Sequence, residues 1–137
     1  MTPKLQTRFG REKGNCFEAC IASVLEIPID VIPVLSQYLD SDWWRELRSW
    51  MHARGWTLLA IDYPNQSGPD PSMCIAIGKS PRGSHRHAVV WSSDRIVHDP
   101  FPQGGGLDGD PEYLVYLVPV NPARRIIRFN TDTGEAS

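Results

Sequence analysis

The chain has no long apolar run, no large excess of charge, no internal repeat and no low-complexity tract. Each absence removes a class of function. Without about 20 consecutive apolar residues, no helix is expected to span a bilayer. A formal net charge of -2 leaves no basic face of the kind that binds nucleic acid or an anionic membrane, so neither partner is expected. Cysteine is scarce and odd in number at three, and no charged-then-apolar export segment opens the sequence. Reduced thiols in a cytoplasmic compartment are therefore the expectation, with no disulfide framework.

What is present is enough sequence for one core. The 137 residues suit a single domain, expected over residues 1–129, with 130–137 as a flexible C-terminal tail. Twelve prolines and eleven glycines imply short elements joined by many turns. Residues 1–14 are polar and unpatterned. Asn15 is a good N-cap type, and Phe17, Ile21, Val24 and Leu25 recur at helical spacing, with Glu18, Ala22 and Glu26 on a polar-tolerant stripe. Pro28 ends this helix. Trp43, Leu47 and Trp50 predict a second helix from about Asp42 to Arg54, with Gly55 as its stop. The pattern then changes to strands at Trp56–Asp62, Met73–Ile77, His87–Trp91, Arg95–Asp99 and Tyr113–Val118, with an edge strand at Arg125–Phe129. Helices first and antiparallel strands afterwards predict an α+β fold with the helices on one side of a sheet.

Three residues in this layout carry chemistry. Cys16 opens the first helix, where unpaired N–H groups and the positive end of the helix dipole favour a thiolate. Cys20 lies one turn inside among apolar residues, and Cys74 lies inside an apolar strand, so both are expected to pack. Taken alone, Cys16 would be a small buried hydrophobe, as most unpaired cysteines are. The pair His87 and Asp99 changes that reading. If the hairpin turn comprises Ser92, Ser93 and Asp94, Trp91 faces Arg95, Val89 faces Val97, and His87 faces Asp99. Opposed residues have Cβ atoms about 4.5–5.5 Å apart, close enough for an imidazole to reach a carboxylate. His85 falls in a Gly/Ser/Arg-rich loop, and His98 points to the sheet face opposite Asp99. His87 is thus the expected base. An oxyanion would find the Cys16 N–H at the helix start, and the Gln6 amide is a candidate second donor.

The string Asn15-Cys16-Phe17-Glu18-Ala19-Cys20-Ile21-Ala22, followed downstream by His87-Ala88-Val89-Val90 and by Asp99-Pro100, resembles the papain-like cysteine peptidases. The likeness is to the branch containing bacteriocin-exporter leader peptidases, and to small papain-like proteins of phages and prophages. It covers roughly residues 5–119. The order glutamine, cysteine, histidine, aspartate matches Gln6, Cys16, His87 and Asp99. The resemblance implies a nucleophile at Cys16, a general base at His87, an orienting group at Asp99 and an oxyanion donor at Gln6. It implies no cofactor and no metal, and a peptide, protein or small-amide substrate. Two departures stand out: Phe17 follows the cysteine where exporter peptidases usually carry glycine, and Gln6 is further upstream than usual. A phage origin would place the protein in the host cytoplasm.

Two rival readings use the same residues. Cys16 and Cys20, at i,i+4 spacing, could join His85 and His87 in a structural zinc site, although the paired knuckle turns of such sites are missing. A papain-like binding module could instead grip a partner, with Trp43, Trp44 and Trp50 at the interface. The loop Gly104–Asp110 lacks a phosphate-loop lysine, and Asp108 and Asp110 are too few for a calcium loop. It reads as a flexible loop after Asp99 that could flank the cleft.

Overall fold

The computed structural model describes residues 1–10, 14–37, 42–63 and 72–120. Two α-helices, α1 (Cys16–Leu25) and α2 (Asp42–His52), precede five strands: β1 (Trp56–Asp62), β2 (Cys74–Lys79), β3 (Arg86–Ser92), β4 (Arg95–His98) and β5 (Tyr113–Pro119). Short 3₁₀ turns at Ile29–Val31 and Leu35–Gln37 join the helices. The strands form one sheet in the order β1-β5-β2-β3-β4, with every pair antiparallel. The fold is α+β, as expected. The expected edge strand at 125–129 and the tail at 130–137 lie outside the described residues.

Both helices cover the same face of the sheet. Cys20, Ile21 and Ala22 of α1, with Leu47 and Met51 of α2, pack on Leu58, Ile75, Ile77, Ala88, Val90 and Val115. The alternate residues Cys74, Ala76, Val89, Trp91 and Leu114 form a second cluster on the other face, under Tyr63, Leu107 and Tyr116. Burial on both faces explains why β2 and β3 read as near-continuous apolar runs rather than alternating ones.

Helix α1 is more enclosed than its sequence pattern predicts. Glu18 and Ala22, expected on a polar-tolerant stripe, are buried together with every residue from Ala19 to Ser23. Ala22 joins the core, and Glu18 is closed over by Leu35, whose N–H it accepts. The N-terminal segment covers the Ser23 side instead: Thr2 N–H donates to the Ser23 carbonyl at 3.0 Å, and Lys4 N–H to Ser23 Oγ at 2.9 Å. The same segment reaches the end of β4, where His98 Nε2 donates to the Lys4 carbonyl at 2.8 Å and Gln6 N–H donates to the Pro100 carbonyl at 3.0 Å. The start of α1 and the end of β4 are thereby strapped together. Helix α2 stops at His52, two residues before the expected end, and Gly55 turns the chain into β1 at φ +84°.

Candidate active site

Asn15 stands at the N-cap position of α1, but its side chain makes no cap. Its Oδ1 accepts N–H groups of Thr7 and Arg8, each at 2.9 Å, and its Nδ2 donates to Thr7 Oγ1 at 2.9 Å. The expected capping role is therefore corrected: Asn15 clamps the N-terminal segment and leaves the first-turn N–H groups uncapped by a side chain. Cys16 sits at that turn. Burial pushes its thiol pKa up, and Glu18 adds to the rise; N–H groups of Ala88, Phe17 and Cys16 itself oppose it. The helix start does favour the anion, but desolvation outweighs it, so the resting group is a thiol. Cys20 is fully buried, and burial holds its thiol well above the ordinary range. Cys74 is buried in the second cluster, and none of the three cysteines is in a disulfide.

His87 Nε2 and Asp99 Oδ1 are 2.7 Å apart. The contact is the one expected, but the strand register behind it differs. Ser92 pairs with Arg95 and Trp91 with Ile96, so the turn holds only Ser93 and Asp94, both at positive φ. This is the left-handed two-residue turn that suits a hairpin's twist. Continued unbroken, that register would put Ile96, His98 and Pro100 on the His87 face and turn Asp99 to the other. A bulge intervenes: Val90 pairs with His98, leaving Val97 as the extra residue. One inserted residue reverses the alternation. Asp99, just past β4, then returns to the face of His87 as a diagonal rather than a direct neighbour, and His98 turns to the Lys4 carbonyl.

Asp99 is held by more than the histidine. Its Oδ1 accepts Phe101 N–H at 2.9 Å, and its Oδ2 accepts Gly106 N–H at 2.8 Å. Partial burial raises its pKa, but the hydrogen bonds from His87, Phe101 and Gly106 outweigh this and hold the carboxyl below its usual range. His87 is 3% exposed, and burial pushes its pKa down despite the pull of Asp99. Both shifts point downward, which describes a neutral imidazole on a carboxylate rather than an ion pair. An ionised carboxylate only accepts, so Nε2 carries the ring proton and Nδ1 is the basic nitrogen.

Cys16 and His87 line one cleft of about 390 Å³. Its apolar walls include Phe17, Leu35, Trp43, Ile77 and Tyr113, while Glu18 and Arg86 supply charge. The rings of Phe17 and Trp43 meet edge to face with centroids 5.9 Å apart. Gln6 is buried beside this site but does not line the cleft. Its Nε2 donates to the Arg8 carbonyl at 3.0 Å, the same oxygen that receives Asn15 N–H at 3.2 Å. The expected quartet is therefore placed in two groups: Cys16 and His87 at the cleft with Asp99 behind the histidine, and Gln6 one carbonyl away from the helix start. Among the described residues, no three His, Cys, Asp or Glu side chains are grouped to hold a metal ion.

Two features escaped sequence reasoning. The glycine-rich loop, expected to be flexible, is the support of Asp99. Gly106 adopts φ +65°, and a Cβ there would lie 2.9 Å from Ile96 Cδ1. Gly104 N–H donates to Phe101, and the Arg82 guanidinium bonds the Gly104 carbonyl and covers the Phe101 ring at 3.6 Å. A run of glycines directly after an Asp-Pro pair was the available signal. The second is Glu18, which lines the cleft although only 4% of it is exposed, with Oε2 accepting Leu35 N–H at 3.2 Å. A charged residue two positions after a nucleophile candidate, inside an otherwise apolar helix, was its only mark. In comparisons with known proteins, no family model, curated protein or solved structure matches this chain.

Proposed function

We propose that the chain is a cysteine hydrolase of the papain-like type, acting on an amide or related acyl carbon of a peptide, protein or small amide. The observation that carries this reading is the 2.7 Å contact between His87 Nε2 and Asp99 Oδ1, which leaves Nδ1 basic on a ring lining the same cleft as the Cys16 thiol. The reaction starts from a neutral pair. As Cys16 Sγ bonds to the acyl carbon, its proton passes to His87 Nδ1 and the carbonyl electrons move to oxygen. N–H groups at the start of α1 are the proposed donors to that charge; Gln6, expected as a further donor, lies outside the cleft with its amide on the Arg8 carbonyl. Collapse expels the amine, which takes the proton from Nδ1 and leaves a thioester on Cys16. Nδ1 then deprotonates a water that attacks the thioester, releasing the acid and restoring the thiol. Asp99 fixes the tautomer and stabilises the imidazolium that forms.

Among the described residues, no single helix is long and apolar enough to cross a membrane. A thiol nucleophile suits the reducing cytoplasm, where we place the activity. The test is a peptidyl electrophile with mass spectrometry of the adduct. Cys16 should label near neutral pH, with Cys20 and Cys74 spared, and His87→Ala should slow labelling by about 10²-fold or more, the usual worth of general acid–base help. Labelling indifferent to His87→Ala sinks the hydrolase reading.

A further inference from the structure

The cleft holds one charge that hydrolysis does not require. Its lining includes three titratable side chains besides the thiol and Tyr113: Glu18, Arg86 and His87. His87 is neutral, as described above. Arg86 is already matched outside the cleft, since its Nε lies 2.7 Å from Glu112 Oε1. Glu18 has no such match. Among the described residues it makes no salt bridge, and its carboxyl is held by backbone N–H groups alone, its own and that of Leu35 on Oε2. The Arg8 guanidinium acts on it from a distance, as the weakest of the influences on its carboxyl, without a direct ion pair. Burial raises the Glu18 pKa, so with no cation in contact its ionised form is costly, and that charge also opposes formation of the Cys16 thiolate two residues away. Around it stand Phe17, Leu35 and Trp43, a wall suited to an aliphatic stem.

We infer that Glu18 is the specificity group of this cleft, receiving the ammonium or guanidinium end of a substrate chain whose apolar stem lies along Phe17, Leu35 and Trp43. The substrate class is thus a lysine-like or arginine-like acyl group or a similar cationic amide. The inference rests on the hydrolase reading in taking Cys16 as the reacting atom. Binding the cation also cancels the repulsion between Glu18 and the developing thiolate, so the correct substrate makes the nucleophile easier to form. A neutral substrate of the same shape leaves that repulsion in place. Charge recognition and thiol activation are in this way one event.

Three methanethiosulfonates of similar length test this: aminoethyl, ethyl and sulfonatoethyl. Each reacts alike, the Cys16 sulfur bonding to the sulfenyl sulfur as methanesulfinate leaves, and each rate is divided by that of a small free thiol. The aminoethyl reagent should modify Cys16 about tenfold or more faster than the ethyl one, and the sulfonatoethyl reagent more slowly than both. Glu18→Gln, whose carbonyl oxygen can still accept Leu35 N–H, should bring the three normalised rates within about twofold. A wild-type protein with no cation preference overturns the inference whether or not the variant folds, and so does a preference that survives Glu18→Gln. Neither result touches the hydrolase reading, which stands or falls on His87→Ala.

Discussion

Asp99→Asn separates a carboxylate that organises the site from one that merely ends a strand. Asp99 accepts three hydrogen bonds, from His87 Nε2, Phe101 N–H and Gly106 N–H. An asparagine cannot accept all three. With its oxygen toward His87 and Phe101, its NH₂ meets the Gly106 N–H donor to donor. Flipped, its NH₂ meets Phe101 N–H and forces His87 into the other tautomer, with the proton on Nδ1. Either way one part-buried N–H loses its acceptor, at about 1–3 kcal/mol, and the surviving bonds lose their charged partner. Together these effects cost about 2–4 kcal/mol. For a chain of 137 residues the unfolding entropy is about 0.3 kcal/mol/K, so Tm should fall by about 7–14 °C at neutral pH. Differential scanning calorimetry against pH supplies the decisive control. Asp99 has a depressed pKa, so its stabilising contribution is present above the ordinary carboxyl value and is lost as pH falls through the folded one. The gap between wild type and Asp99→Asn should therefore close in acid. A Tm within about 2 °C of wild type at pH 7, or a gap that persists unchanged at acid pH, refutes the reasoning.

Gly106→Ala should cost about 1–3 kcal/mol by urea unfolding, because alanine must adopt φ +65° and its Cβ meets Ile96 Cδ1; it should also slow Cys16 labelling by moving the Asp99 support. Replacing Ser93-Asp94 by Asn-Gly should raise Tm by about 3 °C, since both positions have positive φ and Asn-Gly is the pair best suited to that turn; a fall in Tm would argue against the two-residue turn. The pH profile of kcat/KM for any cleaved amide should have its acid limb below the ordinary histidine value, because burial lowers the His87 pKa and the base must be neutral. An acid limb above about 6.5 would contradict a buried neutral imidazole.

The elements were legible in the sequence because the patterns that mark them are local. Trp56–Asp62 is the same strand by pattern and by structure, and the two helices begin where Cys16 and Asp42 predict. What could not be read is the enclosure of α1. Periodicity marks the stripe that faces the sheet, but the cover over Ser23 comes from a polar, unpatterned segment held by hydrogen bonds to Ser23 and Asn15, and Glu18 is closed over by Leu35. Apolar patterning carries no signal of such a strap.

The hairpin shows why a correct contact can rest on an incorrect register. A three-residue turn with regular pairing and a two-residue turn with one bulge give the same face to Asp99, because each moves the alternation by one residue relative to a regular two-residue hairpin. The two differ in what they do with β4. The regular alternative would extend β4 to Asp99 and pair it directly with His87, leaving its carboxylate to be positioned by the ladder. The bulge ends the strand at His98, sets Asp99 beyond the ladder, and commits its oxygens to Phe101 and Gly106 as well as to the imidazole. A carboxylate on a strand would be steered only by its own rotamer. This one is fixed by two backbone donors on a glycine-bearing loop, which is the stricter arrangement for holding a histidine in a single tautomer.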